Sequence, residues 1–150
     1  MCRYMNEVLQ AVKSALTDGM TGRKIVIAVS SADLVNAAER DVIRLIPEKC
    51  SKIKAYPGYD VCRYEITINL EVFVRNRPDA VSLISDISCE AAYFVNQMSV
   101  NIEEDEFIGV KSSRCKAVEF PKEDASTKNK IIGKIHAIIE TFEEQEDIAC

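Results

Sequence analysis

The sequence predicts an α+β domain, a mostly antiparallel sheet flanked by an N-terminal helix and a long central helix. Three observations predict it. The stretch from Tyr64 alternates strictly, with Ile66, Ile68, Leu70, Val72 and Val74 on one side and Glu65, Thr67, Asn69, Glu71 and Phe73 on the other. That is the period of a strand with one buried face. Pro57-Gly58 stands just before it, a turn dipeptide that makes 51–56 and 59–75 one hairpin. Two further segments, Tyr4–Leu16 and Asp79–Met98, carry apolar residues at helical spacing. The 150 residues fit one domain, 1–150.

Each element has a local reason. In Tyr4–Leu16, Met5, Val8, Leu9, Val12, Ala15 and Leu16 form the apolar stripe, and Gly19 and Gly22 end the helix. Arg23–Val29 is a short β-branched run, suited to a strand buried on both faces. Ser30, Ser31 and Asp33 offer caps for a helix over Ala32–Leu45, with Leu34, Val35, Ala38, Val42, Ile43 and Ile46 inward. Pro47 closes it. After the hairpin, Pro78 and Asp79 suit a helix start. Val81, Ile84, Ile87, Ser88, Ala91, Phe94, Val95 and Met98 then form a stripe, and the small residues Ser85, Ser88, Ala91 and Ala92 allow close approach to a sheet.

Phe107–Val110 and Cys115–Phe120 read as two short strands, and Pro121–Lys130 as a polar loop. Lys130–Phe142 fits a helix or a strand. Its five isoleucines and Gly133 favour the strand. The acidic tail 143–150 is expected to fray.

Composition excludes several classes. Apolar residues make up 47% and charged residues 29%, which rules out a disordered or collagen-like chain. A net charge of −5 argues against a dedicated nucleic-acid binder. No apolar run approaches the length of a membrane span, and Arg3, Asn6, Glu7 and Gln10 interrupt any signal-peptide apolar region. The six cysteines, Cys2, Cys50, Cys62, Cys89, Cys115 and Cys150, have no CxxC spacing. With a core this size they are expected as free thiols in a reducing compartment.

Candidate chemistry is sparse. His136 is the single histidine, so a Cys–His nucleophile would have to use it with Cys62 or Cys115. One histidine also makes a poor metal site. The carboxylate runs Glu103-Glu104-Asp105-Glu106 and 143–147 lack the DxDxDG geometry of a calcium loop. Gly19-Met20-Thr21-Gly22-Arg23-Lys24 fails the phosphate-loop pattern and precedes a strand. Basic residues cluster at Lys49, Lys52, Lys54 and Arg63, with Arg75 and Arg77 at the hairpin's far end. They suit a solvated face or a rim that meets an acidic partner or a phosphate backbone. The chain therefore reads as a scaffold or assembly protein with no catalytic residues, no cofactor and no metal.

The order of elements carries a resemblance. An N-terminal helix, early strands, the alternating strand and long helix of RYEITINLEVFVRNRPDAVSLISDI, and final closing strands resemble the tail terminator, or tail-completion, proteins of long-tailed bacteriophages, also called head–tail joining proteins. Tyr64–Val95 carries most of the likeness. Tyr4–Leu16 and Ile131–Phe142 agree in position, while Ser31–Lys49 departs as a helical addition. The resemblance implies a non-enzymatic virion protein at the neck, a ring commonly of six copies. Such a ring caps the tail tube, docks the head connector and lets DNA pass. It implies interface or lumen roles for Arg63, Arg75, Arg77, Glu103, Glu104, Asp105, Glu106, Lys122 and Lys128. The alternative class is a small intracellular ligand-binding or regulatory module with a pocket between helix and sheet.

Overall fold

A computed structural model describes residues 4–22, 24–30, 41–73, 79–98, 108–123 and 130–144. The elements are α1 (Met5–Gly19), β1 (Ile25–Ala28), β2 (Asp41–Tyr56), β3 (Tyr59–Phe73), α2 (Ala80–Gln97), β4 (Ile108–Glu123) and β5 (Lys130–Glu144). The strands form one sheet in the order β1-β2-β3-β5-β4. The class is α+β and the sheet is mixed: β1 runs parallel to β2, and the other neighbours are antiparallel.

α1 forms as the apolar spacing predicts. Val8, Leu9, Val12 and Leu16 are its buried face. The Met20 N–H donates to the Leu16 carbonyl at 2.9 Å as the helix closes. Gly19 does more than end it, because a Cβ there would strike the Phe94 ring of α2. β1 corrects the expectation of a doubly buried strand. It is an edge strand, and Ile25, Val26 and Ile27 are only half-buried.

The largest correction is β2. The predicted helix Ala32–Leu45 is a strand from Asp41 onward, and positions 31–40 lie outside the described residues. Val42, Ile43 and Ile46 fit a helical face but are β-branched, and the long partner β3 pairs with them from Val42↔Glu71 to Tyr56↔Tyr59. A ladder that long outweighs local propensity. Pro47, expected to stop a helix, sits beside the register shift between Pro47 and Lys49. β1 reaches only as far as Arg44, so Pro47 lies on an edge stretch where a missing N–H is tolerated. The Pro57-Gly58 turn forms as expected, with Gly58 at φ 88°, the left-handed region that suits glycine.

β4 replaces two predicted short strands and part of a predicted loop. It is one edge strand, broken by register shifts at Val110/Ser112, Cys115/Ala117 and Glu119/Lys122. Those irregularities made it look like two pieces in sequence. β5 is the strand that its isoleucines favour, paired with β3 from Tyr59↔Glu144 to Phe73↔Lys130.

Both helices pack on one face of the sheet. The core joins Val8, Val12 and Leu16 of α1 and Ile84, Ile87, Ala91 and Val95 of α2 to Ile43 and Leu45 of β2, Tyr64, Ile66, Ile68, Leu70 and Val72 of β3, and Ile131, Ile135, Ala137 and Ile139 of β5. α2 is therefore half of a two-helix layer, and the helices do not flank the sheet from two sides. Close packing needs Gly133, where a Cβ would come within 3.2 Å of the Ile84 Cδ1.

Candidate functional site: the charged sheet face and the hairpin end

Residues opposite one another in a sheet share a face. The register therefore fixes what points away from the helices. Val42, Arg44, Ile46, Lys49, Ser51, Lys54 and Tyr56 of β2 stand there. So do Tyr59, Val61, Arg63, Glu65, Thr67, Asn69 and Glu71 of β3, with Ile132, Lys134, His136, Ile138, Glu140 and Phe142 of β5. β3 was expected to be mostly wet on this side. Instead Val61, Thr67 and Glu71 are buried, because strands on both sides close over them.

Cross-strand ion pairs run down this face. Arg44 bonds Glu71, Arg63 bonds Glu140 at 2.9 Å, and Lys49 approaches Glu65 at 3.7 Å. Each pair has the same polarity. The acid lies low, with side-chain exposures of 10%, 14% and 30%, and the base stands above it at 40%, 37% and 69%. Between Val42 and Tyr56 of β2, Tyr59 and Glu71 of β3, and Ile132 and Phe142 of β5, the paired positions on this face hold the cations Arg44, Lys49, Lys54, Arg63 and Lys134 and the acids Glu65, Glu71 and Glu140. Among the described residues, two buried polar atoms, Arg63 Nε and Asn69 Oδ1, have no hydrogen-bond partner.

At the hairpin end the same face turns aromatic. Tyr56 and Tyr59 stack with centroids 5.0 Å apart, and Tyr59 meets the Phe142 ring edge-on at 5.6 Å. The Lys54 ammonium sits 4.8 Å from the Tyr56 ring centroid, a cation–π contact. Tyr59 and nearby Ile53 are exposed. From Ile46 to Asp60 no residue is buried, although Val61, Cys62 and Tyr64, across from Lys54, Lys52 and Cys50, are.

On the helix side of the same end lies a buried polar knot. Glu143, expected in a frayed tail, is 4% exposed. Its Oε2 accepts hydrogen bonds from the Tyr64 and Thr141 hydroxyls, both at 2.5 Å. The Cys62 thiol also bonds Glu143. Burial, then the nearby Glu143 charge, pushes that thiol from 9.0 up to about 12. Burial and the Glu143 hydrogen bond raise Tyr64 as well. Such a thiol is protonated at neutral pH and is no nucleophile. His136 faces the opposite side of the sheet, so Cys62 and His136 do not form a catalytic pair. Beside the knot, Lys52 holds Asp60 at 3.3 Å.

A groove of about 620 Å³ opens between the C-terminal parts of the two helices. It is lined by Ala11, Ser14, Ala15, Asp18, Gly19, Phe94, Gln97 and Met98. Tyr93, 59% exposed, adjoins it through its edge-on contact with Phe94.

Of the residues singled out from sequence, Arg63 is on the charged face, tied to Glu140. Lys122 is in β4, opposite Ile132. Arg75, Arg77, Glu103, Glu104, Asp105, Glu106 and Lys128 lie outside the described residues. Among the described residues no cluster of three or more metal-binding side chains occurs, and no helix is long and apolar enough to cross a membrane. The expectation of free thiols is corrected at Cys50, which is disulfide-bonded; Cys62 and Cys89 are free. The Glu143 knot escaped sequence reading because its donors come from two strands. The one signal was the polar pair Tyr64 and Thr141 within apolar faces. No protein-family model matches the chain, and no curated protein matches its sequence.

Proposed function

We propose that the chain is a non-enzymatic virion structural protein of the tail-terminator kind. Six copies form a ring that caps the tail tube at the neck, offers the head connector a docking surface and lets DNA pass. The observation that carries this reading is the split character of the sheet. Both helices stabilise one face, which frees the other to present raised cations over less exposed acids and an aromatic hairpin end. Those are features of a contact surface. The reactive candidates point the same way, since Cys62 is a suppressed thiol and His136 stands on the far side of the sheet from it.

The mechanism is geometric. A contact between two different patches repeats from copy to copy and closes when the rotation allows. One rim of the ring then matches the last tube layer and the other meets the connector. Arg75 and Arg77 are assigned to the lumen in this reading. The test adds the purified protein to growing tail tubes. Tubes of fixed length with a ring at one end support the proposal. Tubes that keep growing, undecorated at saturating protein, refute it. A ligand-dependent rise in melting temperature from a metabolite screen would favour a small-molecule binding module instead.

A further inference from the structure

We infer that the aromatic hairpin end of one copy docks in the groove between α1 and α2 of a second copy of this chain. The inference rests on the ring-forming reading above and names its contact.

Two unlike surfaces on the chain complement each other. The first is an aromatic knob at the end of the sheet face: stacked Tyr56 and Tyr59, the Phe142 ring and the Lys54 ammonium. Exposed tyrosine is a favoured anchor at protein interfaces, because it buries much surface and keeps a polar end. The second is a receptacle of about 620 Å³, within the roughly 300–1,000 Å³ of ordinary binding clefts. Its floor is small or apolar (Ala11, Ala15, Gly19, Phe94, Met98), and among the described residues its one charged lining residue is Asp18. Lys54 on the knob and Asp18 in the groove are of opposite sign, and both are exposed.

The register forbids the contact within one subunit. Lys54, Tyr56, Tyr59 and Phe142 point away from the helices, while the groove is cut into the helical layer on the other face. The sheet stands between them, so the knob must go to another copy. A knob-to-groove contact is heterologous, the kind that propagates around a ring. Gly19 serves both roles: it lets α1 and α2 touch through the Phe94 ring and it keeps the groove floor open.

The test places a photoreactive benzophenone amino acid at position 59 of the full chain and maps crosslinks by mass spectrometry. Crosslinks between subunits to residues 11–19 or 94–98 are expected. In parallel, Asp18→Lys should weaken self-association about tenfold, the scale of a central interface contact, and adding Lys54→Asp should restore it. Both sites are exposed, and an unchanged melting temperature verifies each fold. Crosslinks mapping only elsewhere, a double variant no tighter than the single, or a monomer at every concentration overturn the inference. A pair or open chain joined through the groove sustains it although the closed ring fails. A closed ring crosslinked elsewhere keeps the ring and removes this contact.

Discussion

Replacing Tyr64 by Phe removes one hydroxyl from the buried knot and changes little else. Tyr64 is fully buried, and its hydroxyl donates to the Glu143 Oε2 at 2.5 Å. The ring keeps its packing, so no cavity opens. The loss is the hydrogen bond to a carboxylate with 4% exposure, together with the bond between the hydroxyl and the Tyr4 backbone. Hydrogen bonds to charged groups contribute about 1.5–3 kcal/mol, more when the abandoned group stays buried. Thr141 and Cys62 remain as donors, which holds the expected cost near the lower half, about 2 kcal/mol. For a chain this size, each kcal/mol shifts the melting temperature by about 2–4 °C. Tyr64→Phe should therefore melt roughly 4–8 °C lower, read by circular dichroism and by urea titration. With Glu143→Gln as background the same change should cost about half as much, because the acceptor is no longer charged. A loss under about 0.5 kcal/mol, or full additivity with Glu143→Gln, would refute the claim that this bond anchors the end of β5.

Other outcomes follow from single observations. Native protein at pH 8 should lose Cys89 to a thiol reagent and keep Cys62, since Cys89 is exposed and Cys62 buried with its thiol near 12; peptide mapping checks this. Cys62 and Tyr64 both hold their protons more tightly when folded, so the folded state binds more protons at high pH. Their contribution to stability should be constant below about pH 9 and fall as pH climbs toward 12, and Cys62→Ala should soften that fall. Gly133→Val should destabilise by about 1–3 kcal/mol, because a Cβ already crowds Ile84. Ile139→Ala, at a fully buried core site, should cost about 2–5 kcal/mol.

The periodic elements were the legible ones. Ile66, Ile68, Leu70 and Val72 follow each other at period two and all reach the core. Val8, Val12 and Leu16 do so at helical period. Residues 41–46 misled because Val42, Ile43, Leu45 and Ile46 satisfy both periods, and a following proline looks like a helix stop. What decides between the periods is β3, more than 20 residues further along the chain. β4 misled through its register shifts, which break the alternation that marks a strand. The site was half visible. The basic cluster at Lys49, Lys52, Lys54 and Arg63 is local and could be read. The acidic partner of Arg63 could not, since Glu140 lies 77 residues away. Glu143 looked like solvated tail for the same reason, because Tyr64, its donor, lies 79 residues away.

The central claim is that this chain assembles with itself, and its mass in solution tests that most directly. Light scattering on a sizing column, with negative-stain images of the peak, should find six copies of the 16.8 kDa chain, about 101 kDa, closed into rings. A single 16.8 kDa species from micromolar to millimolar protein, with no rings in the images, would contradict the account.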